Sequence, residues 1–150
     1  MKNLYDLGYP EIKKLEKLIS LVSTLDAVLV DVRFSPNSRD PQWREKAIEE
    51  KLAERYIHLK ALGNKNYKEG PIEFVDLQGG LTTLANLLQS KNVIIMCACW
   101  DRAICHRVKI TEVFEKEFDQ KSIPLTSELI DEITSTKETN PINNTQLSLF

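Results

Sequence analysis

The chain has little net charge, few cysteines and no long apolar run, and each shortage excludes a class of protein. A formal charge of -2 over 150 residues supplies no strong basic field for bulk nucleic-acid binding, although a local basic pocket stays open. The three cysteines, Cys97, Cys99 and Cys105, are odd in number and crowded into one short stretch. A secreted disulfide framework spreads its cysteines along the chain, so a reducing compartment is expected. Met1 to Gly8 lacks the basic flank and apolar core of a signal peptide. No apolar run is long enough to span a bilayer. The expected location is therefore cytoplasmic. No segment repeats.

What is present suits a globular domain. Hydrophobic residues make up 42% and charged residues 28%, at a length that supports one domain with a real core. Asn3 to Leu7 reads as a short strand ended by Gly8, with Pro10 in the first turn of a helix whose apolar face is Ile12, Leu15, Leu18, Ile19 and Val22. Ala27 to Val32, apolar except for Asp31, suits a strand buried on both faces of a parallel sheet. A loop to Pro41 follows, then a helix capped by Asp40 that runs to about Tyr56, then a strand over 56–59. Lys60 to Gly70 is a polar loop, and 71–77 is expected to be a short helix that Gly79 and Gly80 break. Helix over 81–88, strand over 93–97, loop over 98–104 and helix from Cys105 to about Phe118 complete the alternation. From Thr134 the chain turns polar and rich in Asn and Thr, which suits a flexible tail over 134–150 behind a single domain over 1–133. The expected fold is α/β, a mostly parallel sheet of about four to five strands with helices on both faces.

In such folds ligands bind at the carboxyl ends of the strands. The polar residues that stand out all fall there: Tyr9 after the first strand, Asp31 and Arg33 at the end of the second, and His58 at the end of the third. Cys97 and Cys99 follow the fourth, and Cys105, His106 and Arg107 open the next helix. Both histidines and all three cysteines thus share one expected ledge.

Several chemistries fit this ledge. Arg33 and Arg107 beside a helix start suit an anion, because helix N–H groups and a guanidinium fork both match phosphate or carboxylate. The structural reading pairs them with Asp31, Asp101 or loop carbonyls, and for Arg39 it is the favoured one. Cys105 at a helix N-terminus suits a thiolate, and Cys97 at a strand end suits the same role. A nucleophile needs a base within reach. Neighbours on a helix do not face each other, so His106 is a better match for Cys97, Cys99 or Asp101 than for Cys105. Each cysteine taken singly also fits a small buried hydrophobe, and His58 fits a satisfied structural histidine. Cys97, Cys99, Cys105 and His106 form a Cys3His set, but zinc ligands usually stand two to four residues apart. Here the spacing is one residue, then five, then none, so no metal or other cofactor is the primary expectation. Gly79-Gly80 is too short to be a phosphate loop.

The segments Leu4–Tyr9, Leu29–Arg39, Tyr56–Leu59, Leu62–Asn64 and Met96–Ala98 through Cys105-His106-Arg107 resemble domain-of-unknown-function family 488 over Leu4 to about Phe118. The Cys-Ala pair followed at this interval by Cys-His-Arg is the most specific part. The resemblance implies an α/β fold and a strand-end site, and no reaction. The chain departs from the family pattern at Cys99, where a glutamate is usual, and at Arg102, where a proline is usual. If that glutamate is an acid or base, this member has changed or lost the chemistry.

Gln146-Leu147-Ser148-Leu149-Phe150 is similar to the short peptide with which bacterial polymerases and repair proteins bind the replication sliding clamp. Leu149 and Phe150 are wasteful on a solvated tail unless a groove receives them, and Gln146 can fix the register against groove backbone. The alternative is that Leu147 to Phe150 packs on its own domain. The two parts together lead to one expectation: a phosphate-bearing ligand, a nucleotide or nucleic-acid end, is bound or processed at the ledge, and the tail recruits the protein to DNA replication or repair. In the processing version Cys97 or Cys105 is the nucleophile or redox-sensitive group, and His106 or His58 carries the proton. The rival expectation is a non-enzymatic nucleotide- or nucleic-acid-binding adaptor or clamp competitor, and a third is a zinc-stabilised domain.

Overall fold

The computed structural model describes residues 1–99 and 105–143. Its strands are β1 (Leu4–Gly8), β2 (Ala27–Asp31), β3 (Tyr56–His58), β4 (Asn92–Cys97) and β5 (Ser122–Pro124). Its α-helices are α1 (Leu15–Leu25), α2 (Glu45–Leu52), α3 (Leu77–Leu88), α4 (His106–Phe118) and α5 (Ser127–Asn143). The strands form one all-parallel sheet in the order β3-β2-β4-β1-β5, so the α/β expectation holds and β4 is the central strand.

Each strand of the sheet's centre is buried along nearly its whole length, which is why β2 and β4 read as continuous apolar runs rather than as alternating ones. The two faces hold separate cores. On one, Leu18, Leu21 and Val22 of α1, Ile48 and Leu52 of α2 and Ile130 of α5 close over Leu7, Leu29, Ile94 and Met96. On the other, Leu81, Leu84 and Leu88 of α3 with Ile110 and Phe114 of α4 close over Leu4, Val28, Val30, Val93 and Ile95. Each fully buried side chain of this size contributes roughly 1.5–3 kcal/mol. The connections that follow β1 and β2 therefore pass to one face, and those that follow β3 and β4 pass to the other. Chain segments leaving β2 and β4, which are neighbours, diverge at their carboxyl ends and open a crevice, the position where doubly wound sheets bind ligands.

Four local expectations change. The first helix begins at Leu15 rather than at Pro10: a 3-10 turn over Tyr9–Glu11 comes first, and Lys13, at φ 67, reverses the chain between them. The helix expected from Asp40 is broken. Asp40 caps only a 3-10 turn over Pro41–Trp43, Arg44 is extended, and α2 starts afresh at Glu45. Residues 71–76 form no helix, and Leu77 is already the first residue of α3. Phe74 makes an antiparallel bridge to Asn64, and Asp76 caps α3 through the N–H of Gly79. Gly79 and Gly80 lie inside α3, not at a break. A Cβ on Gly80 would stand 2.3 Å from Leu62 Cδ2, so this glycine serves close packing. The polar composition from Thr134 onward does not end the last helix, since α5 runs through to Asn143 with Thr134 buried. Gln146, Leu147, Leu149 and Phe150 lie outside the described residues, as do Asp101 and Arg102.

Candidate functional site

The crevice between β2 and β4 contains a cavity of about 380 Å3. Arg33, Phe34 and Ser35, just past β2, form one wall, and Cys97, Ala98 and Cys99, at the end of β4, form another. The third wall is the loop after β3, with Asn64, Asn66, Tyr67, Glu69 and Ile72, and His106 at the start of α4 also faces in. Asn64 shapes that loop: its side-chain oxygen accepts from the N–H groups of Asn66 (3.0 Å) and Glu73 (2.9 Å). Phe34 stacks on Tyr67 with ring centroids 5.8 Å apart, and Tyr67 is 54% exposed. The wall thus offers an aromatic surface, amide groups and a cation to one ligand.

Arg33 is buried and tied to Asp31. Its Nε donates to Asp31 Oδ1 (2.8 Å) and its Nη2 to Oδ2 (2.6 Å). Tyr56 adds its hydroxyl to Oδ2 at 2.7 Å. Burial, and then the Asp31 charge, pushes the Tyr56 hydroxyl well above the ordinary phenol range, so it stays a donor. Burial works against the charge on Arg33, but the bonds to Asp31 outweigh it and its pKa is raised. Tyr9 stacks on Trp43 and lies beneath the Arg33 guanidinium, with the guanidinium carbon 5.5 Å from its ring centroid. Tyr9 therefore positions Arg33 and is not itself part of the cavity wall. His58 is likewise outside the wall. Its Nε2 bonds the Arg33 carbonyl at 2.8 Å, which makes that nitrogen the N–H donor, and Nδ1 stands 3.8 Å from the Glu45 carboxylate.

Arg107 sits on the other side of β4 and does not line the cavity. Its Nε donates to Asp6 Oδ1 (3.0 Å), and its Nη1 donates to the Cys99 carbonyl (2.8 Å) and Cys97 Sγ (3.2 Å). It is 2% exposed. The three-residue strand end Cys97-Ala98-Cys99 is thereby strapped to α4. Gly8, paired with Cys97 in the sheet, permits that closeness, because a Cβ there would lie 2.0 Å from the Cys99 carbonyl oxygen.

The three cysteine sulphurs all lie within 4.8 Å of one another. Cys97 Sγ and Cys105 Sγ are 2.7 Å apart, and all three cysteines are free thiols. Hydrogen bonds from Cys97 and Cys99 hold the Cys105 thiol far below the usual range, against burial and with help from His106 and the Arg107 N–H. Burial, and then its bond to Cys105, pushes the Cys97 thiol well up, and the bond to Cys105 raises Cys99 as well. Cys105 is thus the most acidic thiol of the group. Cys97 and Cys105 are both almost fully buried, and of the three cysteines Cys97 and Cys99 line the cavity. Three converging sulphurs also form a donor set for a soft metal ion. His106 Nε2 donates to the Val32 carbonyl at 2.8 Å, which leaves Nδ1 as the proton-accepting nitrogen.

The sequence model of a family described as domain of unknown function, DUF488, matches residues 14–114. The chain belongs to the DUF488 family. No curated protein and no solved structure matches this DUF488 member. The matched span contains β2 to β4, the cavity and the whole thiol group. Among the described residues of the DUF488 chain, no helix is long and apolar enough to cross a membrane.

The structure brings together Arg33, Cys97, Cys99 and His106 around one cavity and places Cys105 and Arg107 directly behind it. It keeps His58 and Tyr9 in supporting positions. Sequence reasoning missed the loop after β3, with Asn64, Asn66 and Tyr67. Its signal was Gly63-Asn64 in the loop that follows β3, past a 3-10 turn over Lys60–Leu62, a position at which a carboxyl-end loop contributes to the site. It also missed Asp6, the buried carboxylate partner of Arg107.

Proposed function

We propose that this DUF488 protein binds a phosphate-bearing ligand of nucleotide size in the cavity between β2 and β4, and that the segment Gln146–Phe150 recruits it to replicating or repaired DNA through the sliding clamp. The observation that carries the ligand reading is the cavity itself. Its 380 Å3 fall in the range of small-molecule sites, and its wall joins the Phe34–Tyr67 aromatic pair to Arg33. The aromatic pair suits the face of a base, Asn64 and Asn66 suit its polar edge, and the edge of the Arg33 fork not used by Asp31 suits a phosphate oxygen. Asp31 and Tyr9 orient Arg33, while Arg107 positions the thiols rather than the ligand.

In the catalytic form of this reading Cys97 is the nucleophile, because it lines the cavity at the end of β4. Cys105 Sγ stands 2.7 Å away, but as the more acidic thiol of the pair it is too weak a base for Cys97, so His106 at the cavity wall takes the proton. His58 secures the loop that bears Arg33. The rival form binds the same ligand without chemistry, as an adaptor. The recruitment part rests on the sequence of the segment alone.

Equilibrium titration of the full chain tests the ligand reading. A matched panel of nucleosides, nucleoside mono-, di- and triphosphates and a 5′-phosphorylated oligonucleotide serves as ligands. Binding that requires the phosphate and weakens in Arg33→Lys is the expected result. Failure of every phosphate-bearing compound to bind at millimolar concentration overturns the reading. If binding holds, protection of Cys97 and Cys99 from alkylation by the bound ligand separates a thiol-directed site from a cavity that sits clear of them.

A further inference from the structure

The convergence of three sulphurs behind the cavity has a consequence that does not depend on the phosphate reading. Cys97 closes β4, Cys99 follows it by two residues, and Cys105 is the residue before α4. The strand end and the helix start are locked together by Arg107, which donates to the Cys99 carbonyl and to Cys97 Sγ. Two of the three thiols are almost completely buried, and all three sulphurs lie within 4.8 Å. Packing three thiols on one point in a core gains little as hydrophobic filling, since an apolar side chain would fill the same space without three weak donors to satisfy.

We propose that Cys97, Cys99 and Cys105 bind one zinc ion as a trithiolate site, with the fourth coordination position facing the cavity. Soft thiolates select zinc, copper(I) or iron–sulphur clusters. Charge decides between the first two. Three thiolates leave a net charge of minus one around a zinc ion and minus two around copper(I), and Arg107, already paired with Asp6, has little charge to spare. Two thiolates on one tetrahedral zinc, with bonds of about 2.3 Å, stand about 3.8 Å apart. The Cys97 and Cys105 sulphurs, at 2.7 Å, must therefore separate by about 1 Å to seat the ion, which a small side-chain rotation supplies. Cys97 and Cys99 both line the cavity, so an open fourth position on that side is accessible to water or to a ligand atom, as in catalytic rather than closed structural zinc sites.

The test is metal titration of the reduced, chelator-stripped full chain. One cobalt(II) ion per chain should bind with thiolate-to-metal charge-transfer bands and be displaced by zinc, with a dissociation constant of about 1 µM or below. Cys99→Ser, at the least buried of the three positions, should reduce the charge-transfer intensity by about one third and weaken zinc binding about tenfold or more. X-ray absorption on the zinc-loaded wild-type chain should count three sulphur neighbours and needs no variant. The absence of cobalt charge-transfer bands overturns the proposal. So do fewer than three sulphur neighbours, retention of copper(I) with no zinc binding, or zinc binding unchanged in both Cys99→Ser and Cys105→Ser.

Discussion

Arg33 grips Asp31 from only two residues away, with Nε and Nη2 on separate carboxylate oxygens at 2.8 and 2.6 Å, and the pair is buried at the end of β2. A buried ion pair is weak evidence of net stability, but breaking one is costly, because it leaves a lone charge in the interior. Asp31→Asn should therefore destabilise the chain by about 3–5 kcal/mol in chemical denaturation. Tyr56→Phe removes one hydrogen bond to the same carboxylate and leaves the ion pair intact, so it should cost about 1 kcal/mol. Equal costs for the two variants would show that Arg33 is not what Asp31 is there to neutralise.

Gly8 makes a second prediction. Alanine there would place Cβ 2.0 Å from the Cys99 carbonyl oxygen and 3.1 Å from Arg107 Nη1. Backbone, not a flexible side-chain end, is in the way, so the strand-end segment has to shift. Gly8→Ala should destabilise by about 1–3 kcal/mol, the usual cost of overpacking. It should also speed alkylation of Cys99 as the Arg107–Cys99 contact opens. A variant as stable as the wild type, with unchanged thiol reactivity, would rule out the close approach.

The thiol group gives stability a definite pH dependence. Cys105 has a lowered folded pKa, so its contribution is present above the unfolded thiol value of about 8.5 and is lost as pH falls through the folded value. Cys97 and Cys99 have raised folded values, so theirs is present below about 8.5 and is lost as pH rises through the folded values. Between neutral pH and about 8.5 the unfolded chain binds the extra proton at Cys105, and stability rises. Above that point the unfolded chain has lost protons that Cys97 and Cys99 keep, and stability falls. Denaturation of the metal-free, reduced chain across this range should show a maximum near pH 8.5. Cys105→Ser should remove the rising limb and keep the falling one.

The sheet, its parallel sense and the strand-end ledge were legible because they depend on continuous apolar runs and on which residue ends each run. Ala27–Asp31 and Asn92–Cys97 are such runs, and both are buried along their length as read. The contact between Cys97 and Cys105 was less legible. Ligand spacing along the chain argued against a metal set, whereas distance across the strand–loop–helix connection brings the sulphurs together. Pairing of Cys105 with its neighbour His106 was discounted on helical geometry. Cys105, however, is the extended residue before α4, at φ -89 and ψ 134, so that geometry does not govern it. Gly79-Gly80 misled because a helix glycine reads as a breaker until the Leu62 side chain that occupies its missing Cβ is known. The loop after β3 was illegible for the opposite reason. Its shape comes from Asn64 side-chain bonds to Asn66 and Glu73, which leave no periodic pattern.

The segment Gln146-Leu147-Ser148-Leu149-Phe150 makes the last prediction. Leu149 and Phe150 follow Asn, Thr, Gln and Ser residues in the sequence, and such a Leu-Phe pair suits insertion into a preformed groove. Titration of the full chain against a bacterial sliding clamp should show binding that vanishes when Gln146–Phe150 is removed. Leu149→Ala and Phe150→Ala should each cost on the order of 2 kcal/mol or more, as anchor residues do. Gln146→Ala should cost less, about 1 kcal/mol, because it removes a register-setting hydrogen bond rather than a buried ring. The cavity variant Arg33→Lys should leave clamp affinity unchanged, which separates recruitment from ligand binding. Clamp binding that survives the truncation would move the partner surface onto the folded domain. No binding by the full chain would overturn the recruitment reading and leave the ligand reading to rest on the cavity between β2 and β4.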